Sequence, residues 1–213
     1  MTLIGRIIKA SIDLRGKIEI VPFSPFISQK RVLKKLIRKA QFTMFGEAYN
    51  FQGMLGNKNF VTKFRATVPV HDYNSIFFFL WNKSLHDQEN VCWPGKVRYF
   101  ALSSGTSGSS SKHIPVTKDM SKAIQKASLK QILSLSKYDL PFSTFEKGIL
   151  MLGGSTHLHQ QGSYFEGDLS GITASQIPFW FQHFYKPGRK ISREKDWHAK
   201  LEEITQKAKN WDI

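Results

Sequence analysis

Three features of the sequence predict an α/β fold, with helices layered against a sheet. Four stretches repeat apolar residues at helical spacing, two short apolar runs between them have strand character, and glycine, proline and serine clusters punctuate the chain. The 213 residues are 41% hydrophobic and 13% aromatic, which supplies one sizeable core or part of a larger one and excludes a disordered composition.

The elements follow in chain order. "MTLIGRIIKASIDLRG" places Arg6 and Lys9 inside its apolar stretch, which breaks a secretory core and reads as an amphipathic helix. In the basic stretch "QKRVLKKLIRK" (29–39), Leu33, Leu36, Ile37, Ala40 and Met44 form one apolar stripe on a cationic helix. Asp72 is an N-cap for a second helix that turns Ile76, Phe77, Leu80 and Trp81 inward. "VRYFAL" (97–102) is β-branched and aromatic, a strand that runs straight into a serine-rich loop. Thr117 caps a third helix with Met120, Ile124, Ala127, Ile132 and Leu135 inside. "GILMLGG" (148–154) is bounded by glycines and reads as a buried strand. "YKPGRK" (185–190) is a turn centred on Pro187 and Gly188. A fourth helix follows Ser192, with Trp197, Leu201, Ile204 and Ala208 on one face.

Cys92 is the single cysteine, so a disulfide scaffold is excluded and cysteine usage points to the cytoplasm or is neutral. The longest apolar run, "IFFFLW" (76–81), falls far short of a membrane span, and no membrane partner is expected. Thirty-one Lys and Arg against 16 Asp and Glu give a net charge of +15, which favours a polyanionic partner or a nucleotide.

The stretch "SSGTSGSSSK" (103–112) is either a linker or a phosphate loop. It sits between a predicted strand and a predicted helix, which is the setting of a phosphate site rather than of a linker. Gly105 and Gly108 allow positive φ, hydroxyls add donors, and Lys112 supplies a compact cation. The Walker spacing fails, since Ser110 and Ser111 stand where its second glycine and lysine belong. The nucleophile elbow G-x-S-x-G fails as well, and the S-x-x-K match at Ser109–Lys112 lacks the downstream S-D-N and K-T-G. "HLHQ" sets His157 and His159 on one side of a strand, a pair open to metal or to a plain polar loop. Asp168–Gly171 reads as a turn, and Phe179, Trp180, Phe181, Phe184 and Tyr185 read as core or as a pocket wall.

Ser103, Ser104, Gly105, Thr106, Ser107, Lys112, Ile114, Pro115 and Thr117 resemble the first ATP-binding signature of the auxin-responsive-promoter family of acyl-acid–amido synthetases, in the acyl-adenylate-forming, firefly-luciferase-like superfamily. "FRATVPVHDYNSI" (64–76), "WPGKVRYFALSSGTS" (93–107) and "FEGDLSGI" (165–172) are similar to flanking segments of that family. Ser109 and Ser110 depart from it where glycines are usual. The family's second and third signatures and its C-terminal lid have no counterpart here, so residues 1–213 resemble only the N-terminal, ATP-binding portion.

The resemblance implies an incomplete adenylate-forming fold and an ATP-dependent ligase that joins a carboxylic acid to an amino acid through an acyl adenylate, with ATP and Mg2+ as cofactors. It implies that Ser103, Ser104, Gly105, Thr106, Ser107, Gly108 and Lys112 hold the ATP phosphates, with Lys112 as the catalytic cation and no protein-held metal. Two other readings stay open: a basic nucleic-acid-binding module built on the 29–39 helix, and a catalytically inert remnant. The acid, the amine and the oligomeric state are not legible in the sequence.

Overall fold

The computed structural model describes residues 2–17, 24–103 and 111–213. Within them, helices pack around a mixed sheet, in agreement with the α/β expectation. Helix α1 (Thr2–Lys17) is the amphipathic N-terminal helix; it buries Ile12 and lies against a 3-10 turn at Phe142–Glu146.

Helix α2 (Pro25–Ala40) carries the basic stretch. Its Ile37 and Ala40 form a core with Phe51 and Met54 of α4 (Phe51–Leu55) and Phe60 of α5 (Phe60–Thr67). The predicted stripe holds in part. Leu36 is 45% exposed, because the buried face centres on Ile37 and the 3.6-residue turn swings its chain neighbour outward. Met44 belongs to a new helix, α3 (Met44–Ala48). Thr43 makes that break: its hydroxyl donates to Ala40 O (2.7 Å) and accepts from the Gly46 N–H (3.1 Å).

Asp72 caps α6 (Tyr73–Ile76), accepting from the Ser75 N–H at 2.7 Å. The helix continues as a π turn (Phe77–Trp81) into α7 (Asn82–Leu85). Leu80 is buried and Ile76, Phe77 and Trp81 are half-buried, as their spacing predicts.

The sheet has the order β2-β1-β5-β4, from β1 (Tyr99–Leu102), β2 (His113–Val116), β4 (His159–Gln161) and β5 (Tyr164–Gly167). β1 is antiparallel to β2 and parallel to β5. One face packs Ala101 and Val116 on Ile172 of α9 (Leu169–Ser175), with Met120 of α8 (Lys118–Ser134) alongside. The other face holds Phe100, which is fully buried.

The sheet corrects the strand–loop–helix reading. The serine loop joins two strands of a hairpin, and the helix begins only after β2. Pro115 masks β2 in the sequence, yet proline is tolerated there because β2 is an edge strand whose outer N–H positions need no partner. Thr117 does cap α8, accepting from the Met120 N–H at 3.2 Å. Ile124, Ile132 and Leu135 are half-buried, whereas Ala127 is exposed.

The 148–154 run yields only β3 (Ile149–Leu150), paired in parallel with β6 (Tyr185–Lys186). The expected burial is absent. Ile149, Leu150, Met151 and Leu152 are exposed, since a two-residue partner on one edge covers neither face. Of the 185–190 turn only its centre, Pro187–Gly188, lies between elements, with Gly188 at φ +85°; Tyr185–Lys186 is strand and Arg189 opens a helix. The segment after it splits into α10 (Arg189–Ser192) and α11 (Trp197–Ala208), the latter capped by Asp196, which accepts from the Ala199 N–H at 2.7 Å. Ile204 is buried; Trp197 is half-exposed rather than inward.

Asp119 fastens the helical core to the sheet. Its Oδ2 accepts from Trp93 Nε1–H (2.8 Å) and pairs with Lys39 Nζ (2.5 Å), and these two bonds hold its carboxyl below the ordinary range. No described helix is long and apolar enough to cross a membrane.

Adjacent residues of α2 test this packing. Ile37→Ala empties a fully buried site and is expected to cost about 2–5 kcal/mol in urea unfolding. Leu36→Ala should stay within about 0.5 kcal/mol. Equal losses at the two positions would contradict the orientation of α2.

Candidate functional site

β1 and β5 run in parallel side by side, so their carboxyl ends open on the same edge of the sheet. That edge is where ligands bind in open α/β sheets. From β1 the chain passes into the serine loop; from β5 it passes through Asp168 into α9. Asp168–Gly171, read as a turn, is in fact the N-cap and first turn of that helix.

The loop's base is pinned across the hairpin. Leu102 faces His113 in register, and the Ser103 N–H donates to Lys112 O at 3.1 Å. The structure therefore brings Ser103 and Lys112 together. Ser104, Gly105, Thr106, Ser107 and Gly108 lie outside the described residues.

Lys112 is exposed, and its Nζ stands 5.0 Å above the centre of the Tyr73 ring. Tyr73 serves the hairpin twice, because its hydroxyl also accepts from the His113 backbone N–H at 2.9 Å. Just before Tyr73, the Asp72 carboxyl is held below its ordinary range, mainly by hydrogen bonds from Ser75 and less by the charges of Lys112 and His71. Lys112 makes no ion pair with any carboxylate among the described residues.

His113 and Glu166 bridge the sheet across β1. His113 Nε2–H donates to Glu166 Oε2 at 3.0 Å, and the imidazole meets the edge of Phe100 with ring centres 6.4 Å apart. Gln161 Nε2 donates to Glu166 Oε1 at 3.3 Å, which ties in β4. Burial, helped by the Glu166 charge, pushes the neighbouring Tyr164 phenol up. These bonds hold β2, and with it Lys112, at a fixed position against β5.

Tyr73, His113 and Glu166 escape sequence reasoning as site residues. A signal existed for two of them: Tyr73 and Glu166 lie inside "FRATVPVHDYNSI" and "FEGDLSGI", segments that carry the family resemblance. His113 is hidden because β2 itself is hidden. His157 lies outside β4, so it does not share a strand face with His159, and no group of three metal-ligating side chains stands together among the described residues. Phe179 is 82% exposed and Tyr185 is buried, so the predicted aromatic group does not form one wall.

Behind the β5–α9 junction, residues 153–155 are clamped. Gly154 N–H donates to Ser170 Oγ (2.9 Å), and a Cβ on Gly171 would lie 2.1 Å from Ser155 O, so only glycine fits there. Lys200 of α11 is 3% exposed and donates to Gly153 O at 3.3 Å. Burial lowers its ammonium pKa, and Asp168 and Glu194 counter this only in part.

The sign of that shift gives a test. Between the lowered folded value and the ordinary value of 10.5, the unfolded chain binds the proton that the folded chain has lost, so stability rises with pH across that window. Lys200→Met keeps the stem and removes the charge. It is expected to equal or exceed the parent in stability at pH 7, with its advantage shrinking toward pH 10 in urea titrations. A loss of more than about 1 kcal/mol at pH 7, independent of pH, would show that the Lys200 charge is net stabilising.

Comparison with protein families matches residues 17–206 to the GH3 family N-terminal domain, while no curated protein matches the chain at a significant level. The match spans the helical core, the hairpin and both junctions at the carboxyl edge, and the chain belongs to the GH3 family, that of the auxin-responsive acyl-acid amido synthetases.

Proposed function

We propose that the chain is the phosphate-binding portion of an ATP-dependent ligase that joins a carboxylic acid to the amine of an amino acid through an acyl adenylate. The observation that carries this reading is the pinned hairpin: Ser103 and Lys112 are bonded across its base at the carboxyl edge of two parallel strands, with a Lys112 ammonium that meets no carboxylate among the described residues. The residues fit a triphosphate. An exposed lysine without a carboxylate partner among the described residues, next in sequence to a run rich in hydroxyls and backbone N–H groups, is a cation and donor set for an anion.

In the proposed reaction an oxygen of the carboxylate attacks the α-phosphorus, the bond to pyrophosphate breaks, and a mixed anhydride forms. The amine then attacks the carbonyl carbon, an amide forms, and AMP leaves with the bridging oxygen. The chain contributes positioning and charge neutralisation more than covalent chemistry. Lys112 offsets the negative charge that grows on the departing pyrophosphate. Ser103, Ser104, Thr106 and Ser107 donate hydrogen bonds, and Gly105 and Gly108 let the backbone approach. Magnesium supplies further charge neutralisation when it arrives bound to the phosphates. Tyr73 and the His113–Glu166 pair are positioning residues, since they hold β2 and the Lys112 stem in place.

The nucleic-acid reading gains nothing from the geometry of α2. Lys30 and Lys34 lie over the Phe60 ring and Lys39 is paired with Asp119, so part of its charge serves internal packing.

Lys112→Ala is expected to weaken ATP binding about tenfold to a hundredfold by isothermal titration calorimetry, the range for losing one charge-assisted contact. Lys112→Arg should recover part of the loss. Unchanged affinity in Lys112→Ala would remove Lys112 from the site.

A further inference from the structure

A basic groove lies at the other end of the sheet from the serine hairpin. This open groove of about 760 Å³ is lined by Arg189, Lys190 and Arg193, together with Thr156, Ser175 and Ile177. It adjoins a pocket of about 300 Å³ that shares Thr156 and Arg193 and is floored by Tyr99 and Phe165. Each falls in the size range of small-molecule sites.

The groove's charge is one-sided. None of its three cations forms an ion pair among the described residues. Glu194, next in the chain to Arg193, spends its Oε1 on the backbone N–H groups of Lys195 and Asp196 (2.7 and 3.0 Å). Three cations gathered on one concave wall without a carboxylate concentrate positive potential there. Two guanidinium forks suit a planar carboxylate or a phosphate. The Thr156 backbone is fixed by its N–H bond to Ser192 O (2.8 Å), and its hydroxyl has no protein partner among the described residues.

The pocket beside these cations has an apolar side, while Thr156, His157 and Arg193 form its polar side. Tyr99 and Phe165 stack with ring centres 5.8 Å apart, and Leu158 completes the wall. Charge on one side and stacked rings on the other call for one ligand with both characters.

We propose that this groove binds a small organic anion, with an oxyanion head held by Arg189, Lys190 and Arg193 and an apolar body lying on Tyr99 and Phe165. The site is distinct from the serine hairpin. Tyr99 and Phe165 are at or near the amino ends of β1 and β5, whereas the loop leaves the carboxyl end of β1, three residues and roughly 10 Å away along the strand. The proposal therefore stands whether or not the loop binds ATP.

Calorimetry with phenyl phosphate, benzoate, inorganic phosphate and benzyl alcohol tests it. Phenyl phosphate or benzoate should bind at least tenfold more tightly than inorganic phosphate or benzyl alcohol, and the tighter of the two names the head group. Arg193→Gln, and independently the double variant Arg189→Gln/Lys190→Gln, should each weaken that binding at least tenfold, whereas Lys112→Ala should leave it unchanged. Inorganic phosphate binding as tightly as the organic anions would reduce the groove to a basic surface. Insensitivity to both groove variants, or an equal loss in Lys112→Ala, would place the ligand elsewhere and overturn the proposal.

Discussion

The geometry of the molecule depends on β1. This four-residue strand is at once one arm of an antiparallel hairpin and one member of a parallel pair. The first role makes Ser103 and Lys112 neighbours; the second puts the carboxyl end of β1 on the same edge as the β5–α9 junction. Neither role alone builds a site. A parallel pair without the hairpin would leave Lys112 unplaced, and a hairpin without the parallel partner would leave Ser103 and Lys112 away from the β5–α9 junction. Phe100, fully buried at the centre of β1, joins the two roles by packing against His113 of β2 and Tyr164 of β5.

Around β1 the molecule uses polar bonds where apolar surface is scarce. The buried sheet core is small: Ala101, Val116 and Ile172. The hydroxyl of Tyr73, the His113–Glu166 bond and the Asp119 link to Lys39 and Trp93 add direction that a small core lacks. These bonds also share residues, so a change at Tyr73 disturbs both the Lys112 ammonium and the β2 backbone. Lys200 is the opposite case. Its buried charge has one long hydrogen bond and disfavours its own ionised state, so its packing against residues 153–155 comes at an electrostatic cost.

The sequence was legible where a local rule decides the outcome. Asp72, Thr117 and the Pro187–Gly188 turn follow from capping and φ preferences that need no tertiary context. The strand read at 97–102 forms over Tyr99–Leu102. Legibility failed where topology decides. Pro115 argues against a strand unless one knows that β2 lies at an edge. Leu36 and Ile37 are both apolar, and only the neighbouring helices choose which one turns inward. The 149–152 run has the composition of a buried strand but meets a partner of two residues. The family was legible through the loop's spacing and its flanks, whereas Tyr73, His113 and Glu166 act through contacts across 40 and 53 residues of chain, which no local pattern encodes. For example, His113 and Glu166 are 53 residues apart.

The central claim is that the serine hairpin receives the phosphates of ATP. Backbone amide hydrogen exchange across residues 103–113, measured with and without a non-hydrolysable ATP analogue, tests it most directly. The account predicts that the analogue slows exchange in this segment and at the adjoining Asp168–Ser170 junction, with little change at Arg189–Arg193. An unchanged segment, or protection confined to the basic groove or to α2, would contradict it.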